Sequence, residues 1–95
     1  MNTSNANPLS GIEQRAAQYA WGQRVVALDD LVNDGSYPDH PANAVLAERG
    51  SVGEIVNVGH AVETNEPVYL VEFNGRLVVG CMEEEIAPAP AGLLP

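Results

Sequence analysis

Short β-rich runs, an Asn-Gly pair between two of them and a long turn-rich first loop predict a mainly β domain. The expected architecture is a small SH3-like barrel with a short N-terminal helix and a proline-rich C-terminal tail. The chain has 95 residues. A chain of that size buries roughly 65% of the surface its unfolded form exposes, enough for one compact core. Hydrophobic residues make up 45% and aromatics 5%, so the core is built on aliphatics.

The elements follow in order. Residues 1–9 read as a disordered leader. Ser10 and Glu13 make a capping-box pattern, and Ile12, Ala16, Tyr19 and Ala20 fall on one helical face. A helix is expected from Gly11 to Trp21, ended by Gly22. Its alanines pack weakly, so it needs the rest of the domain or a partner to be ordered. The barrel domain spans residues 22–86. Gln23 to Leu28 is a first strand, with two adjacent valines suited to a half-buried pleat. Ala42 to Gly50 reads either as one or two helical turns or as extended chain. Gly53 to Val58 is a strand, with Gly50, Gly53 and Gly59 as turn positions around it.

Asn74-Gly75 is the pair preferred in type I′ hairpin turns. A two-residue loop there sets Phe73 opposite Arg76, Glu72 opposite Leu77, Val71 opposite Val78 and Leu70 opposite Val79. Tyr69, Val71, Phe73, Val78 and Gly80 then face the core. Val68, Leu70, Glu72, Leu77, Val79 and Cys81 form a second face that needs a cover. The helix, the tail, another protein or a second copy of the chain pairing through Leu70, Leu77 and Val79 would supply it. Glu83–Ile86 reads as a turn or a last short strand. Residues 87–95 read as an extended polyproline-type tail.

Charge narrows the partners. There are 13 acidic side chains against 4 basic ones, all arginine, for a net charge of −9. Such a balance disfavours nucleic acid and anionic membranes, and suits a basic patch on a protein. The N-terminus has no basic-then-apolar signal, and no apolar run approaches the ~20 residues of a membrane span. A cytoplasmic protein is expected. The single cysteine, Cys81, precludes an intrachain disulfide.

The first loop, "NDGSYPDHP", invites a test for metal chemistry. A calcium frame started at Asp30 puts Val32 at a ligand position and Pro41 where the bidentate glutamate belongs. His40 and His60 are far apart in sequence and read as exposed loop histidines. One thiol cannot hold an iron–sulfur cluster. Cys81 reads as a small hydrophobe on a strand end, or as a contact to a partner's cluster or thiol. No serine or cysteine sits in a nucleophile setting, and Asp29-Asp30 and Glu83–Glu85 read as solvated acids. No catalytic residue, metal site or cofactor is therefore expected. What remains is recognition: Asn33, Asp34, Gly35 and Pro38 have turn chemistry that would hold Tyr37 on a rigid loop. Tyr37 would either meet a partner or tuck back as loop packing.

Three segments, "RVVALDDLVNDGSYPD", "VLAERGSVGEIVNVG" and "VYLVEFNGRLVVGCMEEEI", together resemble the NifZ family of nitrogen-fixation accessory proteins. The resemblance covers Gly22 to Ile86, with Ser36 at a position where the family has threonine. It implies an SH3-like barrel and a non-enzymatic, chaperone-like role in nitrogenase maturation. The implied partner is the immature molybdenum–iron protein, on which paired four-iron units are coupled into the P-cluster. It carries over Asn33, Asp34, Gly35, Tyr37 and Pro38 as a recognition loop and Gly50, Gly53 and Gly59 as turns. A second resemblance is to SH3-like modules of the nitrile-hydratase β-subunit type. It rests on "RGSVG" and "YLVEF" and implies a metallochaperone for cobalt or iron. The loop departs from that pattern, lacking its histidine–threonine–arginine lead-in.

Overall fold

A computed structural model of the chain describes residues 16–90. The strands are β1 (Arg24–Ala27), β2 (Leu31–Val32), β3 (Val45–Ala47), β4 (Val52–His60), β5 (Pro67–Phe73), β6 (Leu77–Met82) and β7 (Ile86–Pro88). A single 3-10 turn, Glu83–Glu85, joins β6 to β7. Five strands form one antiparallel sheet in the order β6-β5-β4-β1-β7, and β2 and β3 form a separate two-stranded ribbon. The domain is mainly β, as expected. Its strands make two sheets rather than one continuous closed barrel, and no ladder joins the ribbon to β6. The segment 42–50, whose sequence suits either helical turns or extended chain, contains β3.

β4 is the spine, pairing with β1 through its first residues and with β5 along most of its length. Ile55 pairs with Val71 and Asn57 with Leu70, so Val56 is an extra residue. Such a bulge sharpens the local bend and twist. Gly53 and Gly59 were expected at turns, but both lie inside β4. At Gly53 the reason is contact with β5. A Cβ there would stand 2.6 Å from Val71 Cγ1 and 2.8 Å from the Glu72 carbonyl oxygen. Gly50 does turn the chain, with φ +90°.

The hairpin between β5 and β6 corrects the expected pairing. Asn74 and Gly75 have φ of 56° and 67°, and the Arg76 N–H donates to the Phe73 carbonyl at 3.1 Å. The tight turn is therefore present. Arg76, however, stays outside the ladder, and Phe73 pairs with Leu77. Strand faces alternate, so a shift of one residue turns every β6 side chain over. Val79 and Cys81 join Tyr69, Val71 and Phe73 in the core, while Val78 and Gly80 are exposed. Leu70 therefore shares no face with Leu77 and Val79, and the three side chains named for pairing with a second copy do not form one surface. Val25, Ala27, Leu31, Ala47, Ile55 and Ile86 complete the core.

Two boundaries also move. Ala87 and Pro88, expected in the tail, pair with β1 as the edge strand β7. Proline is tolerated there because an edge strand leaves one row of amides outside the ladder. The helix expected up to Trp21 is not helical over residues 16–21, and its earlier part, like the leader, lies outside the described residues. The amides that would make helical bonds have other acceptors. Gln18 and Tyr19 N–H donate to the Tyr69 hydroxyl at 2.9 and 3.3 Å. Ala20 N–H donates to Gln23 Oε1, and Gly22 N–H to the Ile55 carbonyl. Tyr69 in turn donates to Glu83 Oε2 at 2.6 Å, and its ring lies 5.4 Å from that of Tyr19. Burial first, then the bond to Glu83, raise the Tyr69 pKa above its ordinary value.

Gly53→Ala tests the close approach of β4 and β5. The added methyl meets a backbone oxygen that cannot swing away, so the variant loses about 2 kcal/mol of stability, read as a lower urea midpoint at unchanged slope.

Candidate functional site

The first loop runs from the end of β2 to the start of β3, and its organiser is Asn33. Asn33 is 2% exposed. Its Nδ2 donates to the carbonyls of Tyr37, His40 and Pro41 at 2.9, 3.1 and 3.1 Å. Its Oδ1 accepts from the amides of Gly35 and Tyr37 at 3.0 and 3.2 Å. Its backbone closes the loop base, donating to Ala44 and accepting from Asn43. One side-chain amide thus satisfies groups that a loop lacking regular pairing would otherwise leave to water.

Asp34 works locally. Its Oδ1 accepts from the Ser36 hydroxyl at 2.6 Å and from the Ser36 amide at 3.0 Å. These bonds, the hydroxyl first, hold its carboxyl below the ordinary value. Gly35 adopts φ +104°, a conformation costly for other residues. Pro38, Asp39 and His40 are exposed. Among the described residues, no three of the His, Cys, Asp and Glu side chains come together as a metal-ligand set.

Tyr37 is half-buried and folds back onto the sheet: its hydroxyl accepts from the Gly80 N–H at 3.0 Å. Gly80 lies on β6, the edge strand, and that N–H points out of the sheet. The next outward amide, Met82, donates to Glu85 Oε1 at 2.8 Å. The edge of β6 is thus capped by two side chains from elsewhere in the chain. Between this edge and the β2–β3 ribbon runs a groove of about 510 Å³. Leu31, Val32, Leu46, Leu70, Val79 and Met82 supply its apolar lining. Asp30, Asp34 and Glu85 also line it, and among the described residues no basic side chain does. Asp30 is held in place by accepting the Arg49 N–H at 2.8 Å.

Cys81 is not placed for the partner or redox contact considered from sequence. It is fully buried, its thiol faces the Val79 carbonyl, and burial followed by the Glu85 charge pushes its pKa up to about 12. The features that sequence reasoning missed are Gly80, Glu85 and the Tyr69–Glu83 pair. Glu83–Glu85 carried only the signal of a solvated acidic run, and the outward orientation of Gly80 depends on the register.

Two outcomes follow from these contacts. Asn33→Ala strands three carbonyls and two amides and costs roughly 2 kcal/mol, with faster hydrogen exchange at Gly35 and Tyr37. Asn33→Asp is at least as damaging at neutral pH, since a carboxylate oxygen then faces those carbonyls. The neutral Cys81 thiol is favoured by folding, so its contribution is complete below the unfolded value of 9.0 and is lost as pH rises towards about 12. Native protein at pH 8 should resist iodoacetamide, and urea should expose the thiol. The stability of Cys81→Ala should fall less over that alkaline window than that of the wild type.

Comparison with known sequences places this geometry in a family. The family profile described as the NifZ domain matches residues 16–88. Protein NifZ of Azotobacter chroococcum mcd 1 is 37% identical over 79 residues, covering 82% of this chain and 49% of the relative. Protein NifZ of Azotobacter vinelandii is 36% identical over 80 residues, with the same coverage of 82% and 49%. Protein NifZ of Frankia alni is 38% identical over 74 residues, covering 75% of this chain and 38% of the relative. The chain spans about half the length, or less, of these curated relatives. No solved structure matches. Since the matched region takes in the Asn33 loop, the β5–β6 hairpin and the groove between them, the chain belongs to the NifZ family.

Proposed function

We propose that this domain is a non-enzymatic, chaperone-like accessory module of nitrogen fixation. It binds the immature nitrogenase molybdenum–iron protein while the P-cluster forms. The observation that carries this reading is the acid-rimmed apolar groove beside a loop organised by a buried asparagine. A preformed apolar groove with a few fixed polar groups is suited to binding. Family membership names the process. In this reading the cluster's thiolates belong to the client, and the domain contributes shape and charge. The net charge of −9 favours encounter with a basic surface.

The test is an anaerobic pull-down with apo molybdenum–iron protein. The wild-type domain should capture the client, and capture should weaken as salt screens the acidic rim. Tyr37→Ala should weaken capture about tenfold while leaving the β spectrum unchanged, because it removes the aromatic wall of the groove. Absence of capture by the wild type at low salt defeats the reading.

A further inference from the structure

The groove is bounded by the backbone edge of a strand. Leu70, Gly80 and Met82 line it from the outer face of the sheet, and Val79 lines it from the core face. Residues from both faces of one hairpin can border the same groove only where it runs along the strand edge. The edge amides of Gly80 and Met82 are held by a hydroxyl and a carboxylate, not by another strand. The two-residue period places the Val78 N–H on the same edge. Across the gap, Leu31 and Val32 of β2 and Leu46 of β3 form the facing wall.

We propose that this seam accepts an extended peptide segment of the client, which pairs with β6 and displaces the Tyr37 hydroxyl and the Glu85 carboxylate from its amides. The proposal rests on the reading of the domain as a client-binding module and specifies how it binds. Strand addition draws affinity from main-chain hydrogen bonds and specificity from side-chain pockets. The pockets here are aliphatic, so the segment carries apolar residues at alternate positions. The rim holds Asp30, Asp34 and Glu85 with no compensating cation among the described residues, so the segment is flanked by basic residues. Tyr37 and Glu85 act as removable covers that keep the edge from pairing with other chains.

The probe is a synthetic peptide of alternating valine and threonine with an arginine at each end, added to the full chain and followed by amide NMR. It should shift the Val78, Gly80 and Met82 resonances. The same peptide methylated on alternate backbone nitrogens should not bind. A version with terminal glutamates should bind roughly tenfold more weakly at low salt. Tyr37→Phe keeps the ring but frees the Gly80 N–H, and should bind the arginine peptide roughly fivefold more tightly. Equal binding of the methylated peptide, no gain in Tyr37→Phe, or no binding of the probe overturns the proposal. Val78→Pro removes one edge amide at a position where an edge strand admits proline, and should lose capture of the molybdenum–iron protein. Capture by Val78→Pro at the wild-type level overturns strand addition and leaves the client reading intact. If the wild type captures no client, the client reading falls and the peptide titration alone decides the seam. The peptide and Tyr37→Phe arms stand even where Val78→Pro does not fold.

Discussion

Arg76 occupies one position between the left-handed turn pair and the first residue of β6 that enters the ladder, and the rest of the strand follows from that offset. With Phe73 opposite Leu77, Val79 and Cys81 reach the core and help cover Tyr69 and Val71. The same offset turns the Gly80 N–H to the sheet edge, where it meets the Tyr37 hydroxyl. A pairing shifted by one residue would aim Val79 and Cys81 at water and send Val78 inward. The loop would then lose its anchor and the core would lose its edge. The register thus couples the packing of the interior to the position of the loop.

The loop itself shows why an acidic, turn-rich segment need not be a metal site. Its polar groups are largely engaged with one another. Asn33 gathers carbonyls and amides, and Asp34 binds Ser36. An asparagine suits the central place because its amide both donates and accepts without bringing a charge into a buried position. The groove carboxylates, Asp30, Asp34 and Glu85, each accept a local hydrogen bond, are arranged along a surface and do not converge on a point. That arrangement lacks the convergent oxygens that a single bound ion needs.

The sequence carried much of this fold. Valine-rich runs marked β1, β5 and β6, and Asn74-Gly75 marked the turn, because those signals are local. The turn chemistry around Tyr37 was also visible. Register was not legible, since a turn pair fixes the bend but not how many residues beyond it enter the ladder. Pro88 concealed β7, because the residue type that excludes a central strand still permits an edge. The N-terminal segment looked helical by its spacing, but its amides are claimed by Tyr69, far away in sequence. Tyr69 itself was read correctly as a core residue, yet nothing local indicated a role for its hydroxyl.

That hydroxyl also orders events in time. The bonds at residue 18 span sequence separations of 51 to Tyr69 and 65 to Glu83. Neither acceptor is in position until β5 has met β6 and the chain has turned through Glu83–Glu85. Contacts of such long range carry the loop-closure cost of everything between them, so they form after the local hairpin that creates their acceptors. The segment at residues 18–19 is therefore a latch whose amides find their acceptors only once the β5–β6 hairpin and the Glu83–Glu85 turn are in place.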